Sequence, residues 1–169
     1  MEQVRSAGVE DLPRLGALAA MAVAELGRHR GAPQLIGAWA DADLTGALGA
    51  ALDDPTASVW AGCVDDVILG VAVGRIGAVV GGGPEPRPQE TGAPIGSAPV
   101  GRVELIYVEP EARGVGLGEA MLDALVGWFS EQGCSAVDAV ALPGVREAKQ
   151  FFEEAGLVAR LIVMHRKLP

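Results

Sequence analysis

Lysine is nearly missing from this chain: among 169 residues, Lys149 and Lys167 are the only two. No Gly-Lys pair exists, which excludes the Gly-Lys-Ser/Thr loop of nucleotide hydrolases. Basic charge is short in general. Thirteen Lys and Arg face 22 Asp and Glu, giving a formal net charge of −9. Nucleic acid and anionic membranes are held by clustered Lys and Arg, so neither is expected as a partner. An acidic surface either tolerates or attracts a cationic substrate such as an amine, or serves solubility only.

Cysteine and histidine are also scarce. Cys63 and Cys134 stand far apart, and neither has metal-ligand spacing. His29 and His165 are isolated, with no His-Glu-x-x-His pattern, so no metal is expected. The two cysteines read as small core residues of a reducing compartment. No uninterrupted apolar run approaches membrane-spanning length; Val67–Gly83 comes nearest, and Arg75 and several glycines break it. Met1-Glu-Gln-Val-Arg shows no leader pattern, so the expectation is a soluble, cytoplasmic protein. Aromatics make up only 4% of residues, which leaves Ala, Val, Leu and Gly to fill the interior.

What is present is half apolar and long enough for one domain, 1–169, with a sizeable core. Gln3–Arg5 reads as a strand. A helix follows from Val9 to Leu26, with Leu12, Leu15, Leu18, Ala19 and Ala22 on one stripe. Gly27–Ala40 is a loop, and Asp41 caps a second helix from Ala42 to Leu52. Ser58–Val64 and Val67–Val79 form an antiparallel hairpin around Asp65-Asp66. Residues 81–99, rich in Gly and Pro, form a flexible loop, read either as a lid or as a disordered insertion. Arg102–Val108 is a strand. Gly114–Gln132 is a helix with Leu117, Met121, Leu125 and Trp128 on one face. Ala136–Leu142 is a strand, Arg146–Ala155 a helix closed by Gly156, and Leu157–Leu168 the last strand. The order β-α-α-β-β-β-α-β-α-β implies an α/β fold with a mixed sheet and helices on both faces. The unit from Arg102 to Leu142 should be parallel and right-handed.

The most informative stretch is Val103–Leu122, in which a buried strand runs through a Pro turn and a glycine-rich loop into a helix. Such a junction gathers unpaired backbone N–H groups at one spot, where anions bind. Gly114-Val-Gly116-Leu-Gly118-Glu119 is not the dinucleotide fingerprint, because Glu119 stands where the third glycine belongs. What remains is Arg113-x-x-Gly116-x-Gly118, preceded by Val108-x-Pro110. The bland alternative is an ordinary strand-helix turn whose glycines only permit packing.

With this loop and this element order, the chain resembles the GNAT acetyltransferase superfamily, whose members move an acyl group from acyl-coenzyme A to an amine. The likeness is sharpest over Val103–Leu122 and fainter over Lys149–Leu157. It implies the acyl-CoA N-acyltransferase fold, acetyl-CoA as cosubstrate, and an acceptor that is a small-molecule or peptide amine. The N–H groups of Gly114, Val115, Gly116, Leu117, Gly118 and Glu119 would hold the pyrophosphate, with Arg113 adding charge. The pantetheine arm would pair along the strand at Ile106, Tyr107 and Val108, and an N–H near Val108 would stabilise the oxyanion.

Glu104 is the general-base candidate, since by simple alternation it shares a face with Ile106 and Val108. Its alternative role is an ion pair with Arg75 or Arg102. Asp138 is a second base candidate. Phe152 stands where many members carry the Tyr that protonates the thiolate, and Val145 where many carry Asn. These departures support a rival reading, a catalytically weak acyl-CoA-binding or regulatory module. Arg28-His29-Arg30 lies in the loop that lines the acceptor site in the family, and reads either as a contact for an acidic group on the substrate or as a solvated loop; Trp39 reads either as a wall of the acceptor pocket or as ordinary packing. Members often dimerise, so a homodimer is one option for the oligomeric state.

Overall fold

The computed structural model describes residues 2–32, 39, 43–77, 99–142, 144–160 and 162. The expected loop at 81–98, the cap Asp41, the start of the second helix at Ala42, the end of the hairpin at Val79, and His165 lie outside them. So does most of the expected closing strand; its described part, Leu157–Arg160, is irregular.

Among the described residues, strand β1 (Glu2–Ser6) leads through a 3-10 turn at Val9–Asp11 into helix α1 (Leu12–Leu26). Helix α2 (Leu44–Asp53), strands β2 (Ala57–Val64), β3 (Val67–Ile76) and β4 (Val100–Val108), helix α3 (Leu117–Glu131), strand β5 (Ala136–Ala139) and helix α4 (Arg146–Glu154) follow. The sheet runs β1-β2-β3-β4-β5. The first three pairings are antiparallel and β4–β5 is parallel, as expected for the crossover through α3. Asp65 and Asp66 turn the β2–β3 hairpin at φ 47° and 66°, the positive values a two-residue hairpin turn requires.

Two layers of core lie on the two faces of the sheet. On one, Leu15, Leu18, Ala19 and Ala22 of α1 and Leu48 and Ala51 of α2 pack against Val59, Ala61, Val71, Val73 and Tyr107. On the other, Leu117, Met121, Leu122, Leu125 and Phe129 of α3 pack on Ala72 and Val103, with Phe152 of α4. The stripe of α3 ends on Phe129, fully buried, rather than on the expected Trp128, which is only partly buried. The reason lies in the strands opposite. A Cβ on Gly101 would sit 2.4 Å from Phe129 Cγ, and one on Gly74 2.7 Å from Phe129 Cζ. Gly62 and Gly70 make the same allowance for Met121. The strand glycines thus let α3 lie close on the sheet, and large side chains of one helix fill what few aromatics otherwise would.

Two features depart from the expected register. Strand β5 ends at Ala139 instead of Leu142 and pairs only with Val100–Val103 of β4. Val73 pairs with Leu105 while Gly74 pairs with Val103, so Glu104 is the extra residue of a β-bulge. A bulge bends its strand and increases the local twist. Glu104 follows directly on the last residue of β4 that β5 reaches, so the two strands part at the bulge.

Candidate active site

The parting leaves the second half of β4, residues 104–108, with no partner on its β5 side among the described residues. This open edge offers main-chain donors and acceptors to an extended ligand, as the edge of any unpaired strand does. Arg14 fixes its far end, donating to the Ile68 carbonyl at 2.8 Å and to Glu109 at 2.7 Å, and so ties α1 to the exit of β4.

The edge runs through a 3-10 turn at Pro110–Ala112 into the glycine loop. Gly114 and Gly116 have φ of 81° and 90°, values that L side chains rarely adopt. A Cβ on either would meet nothing within 4 Å, so the backbone conformation, not crowding, calls for glycine, and the space above the loop is open. Gly116 is the N-cap of α3, and the first helical bond runs from Ala120 N–H to its carbonyl at 3.0 Å. The N–H groups from Gly114 to Glu119 have no backbone acceptor among the described residues. They lie in the loop before α3 and in its first turn, at the positive end of the helix dipole.

Glu104 does not share a face with Ile106 and Val108. The bulge breaks the alternation: Ile106 and Val108 pack with α3, and Leu105 and Tyr107 with α1 and α2. Glu104 accepts a hydrogen bond from Arg75 Nε at 3.2 Å, and Arg75 also pairs with Asp54 at the end of α2. The carboxylate therefore lies on the α1/α2 side, and of its two expected roles the structure shows the ion pair with Arg75. Its second oxygen accepts no hydrogen bond among the described residues. The pair is part-buried, and the contact fixes the orientation of the Glu104 carboxylate. Asp138 sits across from Arg102 on β5, with Arg160 at 3.8 Å.

Arg113 turns away from the loop it precedes. Its Nε donates to the Val108 carbonyl at 3.0 Å, one terminal nitrogen reaches Glu25 of α1 at 2.7 Å, and the guanidinium stacks 5.4 Å over the Tyr107 ring. The bond from Arg113 holds Glu25 below the usual carboxylate range. Burial, with the charge of Glu25 added, raises the Tyr107 hydroxyl above the ordinary tyrosine value. These groups line an open cavity of about 450 Å³ with Met21, Ala24, Arg28 and Pro110.

Of the other expected residues, Phe152 faces the core under α3, while its neighbour Phe151 reaches the loop, 3.2 Å from where a Gly118 Cβ would be. Val145 is the N-cap of α4 and offers no side-chain cap bond. Trp39 packs, partly buried, against the core under α1 and α2. Sequence reasoning missed Glu25 and Phe151. Glu25 lies off the apolar stripe of α1 and 88 residues from Arg113, so no local pattern joins them. Counting back from Gly156 by the family likeness leads to Phe152, whereas it is the adjacent Phe151 that approaches Gly118.

The sequence matches the model of the Acetyltransferase (GNAT) family over residues 32–157. No curated protein matches it. Among solved structures, a transcriptional regulator from Bacillus halodurans C-125 superposes with a TM-score of 0.72 at 16% identity, covering 99% of this chain and 100% of that one. The aminoglycoside N-acetyltransferase AAC(6')-Iy, in complex with the bisubstrate analogue CoA-S-monomethyl-acetylneamine, gives 0.71 at 18% identity, with 100% and 99% covered. A predicted acetyltransferase with acetyl-CoA from Clostridium acetobutylicum gives 0.69 at 20% identity, with 99% and 96% covered. At these identities the structures establish a shared fold.

Proposed function

The chain belongs to the acetyltransferase (GNAT) family, and we propose that it transfers an acetyl group from acetyl-CoA to a primary amine of a small molecule or peptide. One observation carries this reading. The unpartnered edge of β4 runs directly into a loop whose N–H groups lack backbone acceptors among the described residues. An extended, amide-rich arm that ends in a pyrophosphate needs those two features in that order. The fit extends to shape, since Gly114 and Gly116 leave the space above the loop clear.

In this reading, the N–H groups from Gly114 to Glu119 hold the pyrophosphate, and Ile106, Tyr107 and Val108 pair with the arm through backbone atoms. Arg113 braces the loop by tying Val108 to Glu25, and adds little charge to the pyrophosphate. The acceptor enters from the α1 side, where the cavity lies against Tyr107. Its neutral amine attacks the thioester carbonyl, the C–N bond forms, the C–S bond breaks, and the thiolate leaves. Holding both reactants in place supplies most of the acceleration. Glu104, through its second oxygen and water, takes the ammonium proton. Phe152 has no proton to give, so solvent protonates the thiolate.

That same lack of a donor at Phe152 favours a second reading, a weakly catalytic acyl-CoA-binding module. Release of free thiol from acetyl-CoA, screened against polyamines, amino acids, aminoglycosides and peptide N-termini, separates the two. Amine-dependent release is expected. A rise in melting temperature with acetyl-CoA but no release with any amine would support the binding module. Neither response would remove both.

A further inference from the structure

The cavity beside Tyr107 carries a charge pattern that the transfer reaction alone does not require. Among the described residues that line it, four are polar or charged: Glu25, Arg28, Tyr107 and Arg113. Glu25 and Arg113 neutralise each other at 2.7 Å, and Arg113 is further engaged by the Val108 carbonyl and the Tyr107 ring. Arg28 differs. Its side chain donates no hydrogen bond and joins no ion pair among the described residues, although it lies near enough to favour the charged form of Glu25. Among the described residues the cavity thus has one cation left over, on a chain whose net charge is −9. A leftover guanidinium beside a neutralised pair is matched by a ligand carrying one carboxylate.

Backbone bonds order the main chain that carries Arg28. Gly27 N–H bonds to the Val23 carbonyl at 2.9 Å, Arg28 N–H to the Glu25 carbonyl at 3.3 Å, and His29 N–H to the Leu26 carbonyl at 2.9 Å. Ala32 is buried, and a Cβ on Gly31 would be 3.4 Å from Leu142 Cδ2, so the segment after α1 crosses toward the end of β5. Arg28, exposed at the end of α1, lines the cavity together with Tyr107 of the open edge of β4. Met21, Ala24 and Pro110 supply the apolar part of the lining. A volume of about 450 Å³ suits a small molecule of amino-acid or dipeptide size.

We propose that this cavity selects acceptors in which the amine is accompanied by a carboxylate, as in an amino acid or short peptide, with Arg28 binding the carboxylate. The proposal rests on the acetyl-transfer reading for the identity of the amine, but its selectivity is measured without transfer. The probes are N-acetyl-glycine, N-acetyl-leucine and N-acetyl-phenylalanine, each against its carboxamide. Within each pair only the carboxylate differs, and no amine titrates. Calorimetry on the full chain, with coenzyme A present, should show at least one acid binding about tenfold or more tighter than its carboxamide. Arg28→Gln should bring that ratio to within about twofold, Arg28→Lys should keep part of it, and Arg28→Glu should reverse it. Equal binding of all acids and carboxamides to the wild type, no binding of any probe, or a preference untouched by Arg28→Gln would overturn the proposal. Thiol release with the matching free amino acids is read separately. Selective binding without release from these amino acids or from any other amine of the panel would contradict the transfer reading and leave the selectivity of the cavity intact.

Discussion

Replacing Gly116 by Ala separates the two roles of the loop, turning the backbone into α3 and leaving room for a pyrophosphate. Gly116 has φ of 90°, and an added Cβ meets no atom within 4 Å, so the cost to the free protein is backbone strain with no clash. That strain is about 1–2 kcal/mol for an L residue in the left-handed region. For a chain of this size, about 2–4 °C of melting temperature corresponds to each kcal/mol, so the ligand-free protein should melt roughly 2–8 °C lower. The new methyl points into the space above the N–H groups, where the proposal puts the pyrophosphate. At about 100 times its dissociation constant, acetyl-CoA should stabilise the wild type by about 2.7 kcal/mol, or roughly 5–11 °C. In Gly116→Ala that ligand-dependent rise should shrink to less than about half. Gly127→Ala is the control: it lies inside α3 with nothing near its Cβ and an ordinary φ. It should gain about 0.5–1 kcal/mol in helix stability and keep the full ligand response. The assay is differential scanning fluorimetry with and without acetyl-CoA. If Gly116→Ala lost stability yet kept the wild-type ligand response, the glycine would serve the turn alone and the pyrophosphate site would be misplaced.

Glu104→Gln should lower thiol release about a hundredfold or more while leaving the acetyl-CoA thermal shift in place, and full activity across the pH range would remove Glu104 as the base. Gly101→Ala should cost about 1–3 kcal/mol in urea unfolding, because its Cβ would press on Phe129, and Phe129→Leu in the same chain should recover part of the loss. Arg5 grips the buried Asp11 through two hydrogen bonds of 2.6 and 2.8 Å, and this bonding lowers the Asp11 pKa. The stabilisation is therefore present above the unfolded carboxylate pKa of about 3.9 and is lost as pH falls through the lower folded value. Asp11→Ala should cost about 1.5–3 kcal/mol at neutral pH, and the deficit relative to wild type should shrink in acid; an unchanged deficit at pH 2 would refute the linkage.

The helices and most strands were legible because apolar spacing reports which face is buried, and that held for α1 from Leu15 to Ala22. The glycine loop was legible because positive φ values at Gly114 and Gly116 leave a mark in residue type. What escaped was set by contacts distant in sequence. The bulge at Glu104 leaves no local signature in Val-Glu-Leu-Ile, yet it moves the carboxylate to the other face of the sheet and parts β4 from β5. The phase of α3 at Phe129 rather than Trp128 depends on Gly74 of β3 and Gly101 of β4, whose closeness to one helix position no local pattern records. Arg113 looked like a charge for the pyrophosphate, and only the approach of α1 turns it toward Glu25.

In the proposed function, the N–H groups at residues 114–119 and the open edge of β4 grip a thioester carrier. Titration of acetyl-CoA into the folded protein by calorimetry tests this directly. One saturable site, displaced by coenzyme A and weakened by Gly116→Ala, is the expected result. A protein that melts cooperatively but takes up neither acetyl-CoA nor coenzyme A would contradict it.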